Sequence, residues 1–183
     1  MLGGLFKSKR GLAAEDCVWV DDAARWTGMR KLLKETLRDR SVLLLVRSGA
    51  GLDQAIDAFA ELRPLAITDG YALDDAYAQL RDPGKLLVAL TDVAERRTPA
   101  GLTLAPAVHI LSRSERRSAD ARLMAALQRW HAGPLVFHSS LDDALLRPHV
   151  DSLEPLLERL GMDRSEPIAS PLIGLALQRA QRD

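Results

Sequence analysis

SVLLLV (residues 41–46) is a near-continuous apolar run, and KLLVAL (85–90) repeats the pattern about forty positions on. Side chains alternate between the two faces of a strand, so a run without polar interruptions needs cover on both sides. Such strands belong to parallel sheets flanked by helices, and the rest of the chain is consistent with that. CVWV (17–20), PLAI (64–67), VHIL (108–111) and PLVFH (134–138) are further strand candidates. Between them lie helix patterns. Ala23, Trp26, Met29, Leu33 and Leu37 recur at helical spacing, as do Leu52, Ile56 and Phe59. ALDDAYAQL (72–80) and the stretch near 117–131 also read as helices. Strands alternating with helices predict an α/β fold with a mainly parallel sheet and helices on both faces. Two more helices are expected at 151–160 and 171–182, the latter opened by Ser170 and Pro171.

The division that follows is a flexible tail at 1–16, one α/β domain at 17–150 and a C-terminal helical extension at 151–183. The length of 183 residues suits one domain of that size. MLGGLFKSKRG, at the start, places its basic residues after only a few apolar ones. That is the reverse of a secretory signal, so it reads as a tail, with weak contact at a membrane surface as the alternative. No run is long enough to span a bilayer. Lys+Arg and Asp+Glu both number 25, so no global field steers the chain toward nucleic acid or anionic lipid. Cys17 is the sole cysteine, which excludes an internal disulfide and a cysteine-based zinc site and fits a reducing cytoplasm.

Three stretches invite a chemical reading. RSGAGLDQ (47–54) follows a strand and opens a helix, but it lacks the Lys-Ser/Thr ending of a phosphate loop and reads as a tight turn. TDVAERRTP (91–99) follows KLLVAL and reads as a polar loop without glycine. RSERR (113–117) reads as a solvated face. His109, His131, His138 and His149 show no metal-ligand spacing, and Ser112, Ser139 and Ser140 lack a nucleophile elbow. The tryptophans at 19, 26 and 130 read as core aromatics, not as a stacking platform for single strands.

The second half is similar to the SecA preprotein translocase ATPases. SSLDDALLR (139–147) resembles the stretch after their last helicase motif. LLERLGMDRSEPIASPLIGLALQRAQRD (156–183) resembles the segment leaving their second nucleotide-binding domain, through Gly161, Met162, Glu166, Pro167, Ile168, Pro171, Ala180 and Gln181. Ser48 and Asp53 match positions after an earlier strand. TDVAERRTP matches the loop Thr-Asp-Met-Ala-Gly-Arg-Gly-Thr-Asp at Thr91, Asp92, Ala94, Arg96 and Thr98. Glu95 and Arg97 replace its glycines and Pro99 its last aspartate.

The resemblance implies a RecA-like domain of the helicase C-terminal kind, with Ser48, Asp53, Asp92, Arg96 and Thr98 as remnants of nucleotide contact. A glutamate beside a triphosphate repels it, and proline removes a donor. The arginine-rich final motif of SecA has only Arg122 and Arg129 as loose counterparts, and its phosphate loop and long scaffold helix have none. The expectation is therefore a degenerate domain without catalytic residues, cofactor or metal. It is expected to act in the cytoplasm as a protein-interaction or regulatory module linked to preprotein translocation, without nucleic acid. The alternative is a nucleotide-binding component that completes a composite ATPase site with a partner through Arg96, Arg97 or Arg113.

Overall fold

The computed structural model describes residues 14–96, 106–131, 133–150, 166–169 and 171–182. The two apolar runs form interior strands, β2 (Val42–Val46) and β4 (Leu86–Leu90), paired in parallel from Val42 with Leu86 to Val46 with Leu90. On the other side of β2 lies β5 (Ala107–Leu111), followed by β6 (Leu135–Ser140) and β1 (Ala14–Trp19), all parallel. The short β3 (Leu65–Ile67) closes one end of the sheet beside β4, and β7 (Ile168–Ala169) pairs antiparallel with β1 at the other. The order is β3-β4-β2-β5-β6-β1-β7. Six parallel strands with flanking helices make this an α/β fold, as the apolar runs predict.

Among the described residues the α-helices are α1 (Asp22–Thr36), α2 (Gly49–Ala58), α3 (Gly70–Gln79), α4 (Thr91–Arg96), α5 (Arg117–Leu127) and α6 (Pro171–Ala180). Two cores follow from strand alternation. Val42, Leu44, Val46, Leu86 and Val88 pack with Met29 and Leu33 of α1 and with Leu52, Ala55 and Phe59. Leu43, Leu45, Leu87, Ala89, Val108, Ile110 and Phe137 point the other way, against α3, α4 and α5. A third cluster holds Leu177 of α6 on Val18, Leu141, Leu145 and Leu146, so that helix packs on the body of the domain.

Three expectations need correction. Strand β1 begins at Ala14, so Ala14, Glu15 and Asp16 belong to the sheet and not to a flexible tail. TDVAER is a helix that starts directly at the end of β4, because Thr91, Val93 and Ala94 bury one side of a single turn and a half. On α1 the buried stripe runs through Arg25, Met29 and Leu33, while Ala23 is exposed. Helix α1 comes very close to β1 at one glycine. A Cβ built on Gly28 stands 2.0 Å from Cζ3 of Trp19, so the helix backbone rests directly on the indole. The expected helix at 151–160, Ser170, and the SecA-like Gly161 and Met162 lie outside the described residues.

The carboxyl edge as candidate functional site

In open parallel sheets, ligands bind outside the carboxyl ends of the strands. Here that edge is filled by arginines held to the chain's own acids. Ser112, which follows β5, adopts φ 64°, a left-handed conformation that costs about 1–3 kcal/mol for a residue with a side chain. The turn sends Arg113 sideways across β6. Its guanidinium stacks over the Phe137 ring at 3.5 Å, and Nε and Nη2 donate to the two carboxylate oxygens of Asp16 on β1 at 2.6 and 2.9 Å. Both side chains are almost fully buried. RSERR is thus a solvated face only from Glu115 onward. Arg113 is interior.

Asp120 joins the pair to the rest of the edge. It lies 3.5 Å from Nη1 of Arg113, takes a short hydrogen bond from Arg47, and accepts at 2.6 Å from Nε2 of Gln181 beyond α6. Burial pushes the Arg47 guanidinium below its usual pKa, and the Asp120 charge opposes that shift. A second centre forms around Arg25. It donates to Asp143 at 2.8 Å and to Ser112 Oγ at 3.0 Å, and it pairs with Asp22 at 2.7 Å. Asp142 accepts from the backbone N–H of Asp22 at 2.9 Å, beside the Asp21 side chain that caps α1. The acidic pair of SSLDD therefore anchors the start of α1.

The expected remnants are dispersed among structural roles. Ser48 caps α2 by accepting from the Gly51 N–H at 3.1 Å. Asp53 is exposed on α2. Asp92 and Arg96 pair with each other at 2.9 Å across one turn of α4, both largely in solvent. Arg97, Thr98 and Pro99 lie outside the described residues. Glu95, which stands where the SecA loop has glycine, engages both loose arginine counterparts. Its carboxylate is 3.8 Å from Arg122 Nε, and its carbonyl accepts from Arg129 at 3.2 Å. This glutamate ties α4 to α5.

The histidines were the residues least legible in advance. His109 and His138 sit side by side inside the sheet, with His109 Nδ1 2.9 Å from His138 Nε2. Trp19 Nε1 lies 3.4 Å from His138 Nδ1, and an indole nitrogen only donates. That makes His138 Nδ1 an acceptor, places its proton on Nε2, and leaves His109 Nδ1 to accept it. Both rings are neutral. Burial lowers the His109 pKa to about 4, and burial, with His109 and Arg25 nearby, takes His138 well below its usual value. Burial also raises the Cys17 thiol to about 11, with Glu15 and Asp16 adding to it, so the thiol is protonated and a poor nucleophile.

His131 is buried beside a cavity of about 410 Å3 at the opposite edge of the sheet. Neither ring nitrogen has a hydrogen-bond partner among the described residues; the Pro134 backbone favours the charged ring without meeting hydrogen-bond geometry. No group of three or more histidines, cysteines and acids among the described residues is placed to hold a metal. Nor is any helix among them long and apolar enough to cross a membrane.

No family model matches this chain, and no curated protein does. Solved structures do. The chain is similar to T4 UvsW, at 12% identity and a TM-score of 0.50, covering 73% of this chain and 33% of that one. It is similar to the C-terminal part of the Fun30 ATPase domain, at 16% identity and a TM-score of 0.52, covering 87% and 54%. The chain thus spans about a third and about half of these two structures. With the strand order above, they define the class: a RecA-like α/β fold of the helicase C-terminal kind.

Proposed function

We propose that this chain is a RecA-like domain that works as a protein-interaction module without ATPase activity of its own. One observation carries the reading: the arginines of the carboxyl edge are bound to the chain's own carboxylates. An arginine that stabilises phosphoryl transfer must meet the transferring group. Freeing Arg113 for that task leaves Asp16 buried and unpaired, a loss of about 3–5 kcal/mol. Arg122 and Arg129 meet Glu95 more weakly, through a 3.8 Å pair with a largely exposed guanidinium and a bond to a backbone carbonyl, so the reading rests on the buried arginines. The link to preprotein translocation, and with it a cytoplasmic location and translocase components as first candidate partners, rests on the SecA-like motifs, above all Glu166, Pro167, Ile168, Ala180 and Gln181.

A composite ATPase site is the second reading, and the exposure of the Arg96–Asp92 pair favours it, since solvent already competes for that guanidinium. Both readings meet in one experiment. ATP turnover is measured for the chain alone and for a SecA-type ATPase with and without it. The module reading expects background turnover alone and an altered rate for the ATPase, with Arg96→Ala as effective as the parent chain. Turnover by the isolated chain that Arg96→Ala abolishes sinks the module reading. A rate effect that needs Arg96 selects the composite site, and no association removes the translocation link.

A further inference from the structure

We propose that the junction of α5 and α6 is a docking surface for an acidic segment of a protein partner, recognised by Arg116, Arg117, Arg179 and Arg182. The proposal rests on the protein-interaction reading and names the chemistry of the partner. These residues are about sixty positions apart in the chain, and the fold joins them through the backbone. The N–H of Arg117 donates to the Arg182 carbonyl at 2.8 Å, and that of Arg182 to the Glu115 carbonyl at 2.8 Å. Gln181 locks the joint from inside, donating to the Ser114 carbonyl at 2.7 Å and to buried Asp120.

All four arginines are exposed. Arg117 also donates to the Gln178 carbonyl at 2.6 Å, which holds its stem across the joint. Arg116, Arg179 and Arg182 enter no ion pair among the described residues. Like charges brought together repel, and Arg116 also sits at the positive end of the α5 dipole. Asp21 and Ser48 cap α1 and α2 with side-chain acceptors, whereas Arg116 stands at the same position of α5 and accepts nothing. Among the described residues Glu115 is the exposed acid beside them, and Asp120 is already committed. An external carboxylate relieves this repulsion, and guanidinium binds carboxylate with two parallel hydrogen bonds.

The surroundings favour a peptide over other polyanions. A recess of about 420 Å3 lies beside Arg117 and Arg179; Ala121 and Met124 give it an apolar side where a leucine between acidic residues can rest, and Arg113, Asp120 and Gln181, already bonded to one another, line it too. Proteins that bind single strands without sequence preference stack bases on aromatic side chains beside a basic groove. Here Trp19 is buried, while Trp26 and Trp130 pack against Phe59 and Tyr77. A membrane surface asks for an apolar anchor near the charges. The exposed large apolar residue among those described, Leu65, lies on β3 at the other end of the sheet.

The test uses a fluorescein-labelled peptide of Glu-Glu-Leu repeats, with the Gln-Gln-Leu analogue as control, read by anisotropy at low salt. We expect binding of the acidic peptide alone, weakened roughly ten-fold or more in R116Q/R179Q/R182Q and unchanged in R38Q, an exposed arginine beyond α1. Melting temperatures equal to the parent's show that the neutral variants are folded. Equal binding of both peptides, none of either, or full affinity in the triple variant overturns the proposal. So does tighter, arginine-dependent binding of an oligothymidylate or of phosphatidylglycerol vesicles. If the parent ignores the acidic peptide yet alters the SecA-type ATPase, the patch is wrong and the module reading stands.

Discussion

The two halves of the sheet are held by different forces. Every side chain of β2 from Val42 to Val46 is apolar and buried, and Leu86 to Ala89 of β4 match it. On the β6–β1 side the interior holds Asp16, Arg113, His109, His138, Ser139 and Ser140. The first half is additive: each side chain contributes its own burial. The second is conditional, because each polar group is stable only while its partner is present. Damage to one half costs the volume removed. Damage to the other costs whatever is left unpaired.

The sharpest contrast comes from removing one partner against removing both. Asp16→Ala takes both short hydrogen bonds from the Arg113 guanidinium, leaves it only the 3.5 Å contact with Asp120, and is expected to lower stability by up to about 3–5 kcal/mol. Asp16→Leu with Arg113→Met is expected to recover most of that in denaturant unfolding, since the buried charges go together and Asp120 keeps Arg47 and Gln181. Leu44→Ala, on β2, is expected to cost about 2–5 kcal/mol with no comparable single-partner rescue. If the double variant is as unstable as Asp16→Ala, the conditional half is ordinary packing and the contrast collapses.

Acid separates the halves next. The folded pKa of His109 is about 4 and that of His138 is also depressed, against an ordinary value of 6.5. Depressed basic groups bind fewer protons folded than unfolded, so their stability is complete above about pH 6.5 and is lost as pH falls toward about 4. The charged group acting on the pair is Arg25, which opposes protonation further. Melting temperatures measured across that window are expected to fall steadily, and H109Q to flatten the slope. A slope unchanged in that variant assigns the acid sensitivity elsewhere.

The smallest effect tests a site residue that became a structural one. Ser48→Ala removes the cap of α2 and is expected to cost about 1 kcal/mol, with Ser48→Asp close to the parent. A loss well beyond that in thermal unfolding means Ser48 does more than cap.

The same contrast explains what was legible in the sequence. SVLLLV and KLLVAL announce themselves because a covered strand must be apolar throughout, and the order of elements then leads to the α/β class. The helix that carries Leu177 is readable from another local mark, the Ser170-Pro171 pair at its start. Ion pairs carry no such local mark. Asp16 and Arg113 are 97 residues apart, and each alone looks like a surface residue. One cue was available: Asp16 falls in step with Ala14 and Val18, which marks it as facing inward if the strand starts early. The α4 helix was hidden by its charges, although Val93 and Ala94 pack beneath them. The pairing of His109 with His138 depends on β5 lying beside β6, which no spacing reveals.

Gly28 extends the consequence to other sequences. The row from Gly28 through the Trp19 indole to His138 and His109 ties α1, β1, β6 and β5 together, and its first contact leaves no room for a methyl group. Alanine at 28 therefore forces the ring away, which strips His138 of its donor and frees the tautomer of both imidazoles. Positions 19 and 28 must vary as a pair. A relative of this chain with any side chain at 28 has to carry something smaller than tryptophan at 19, and its histidines will then titrate by different rules.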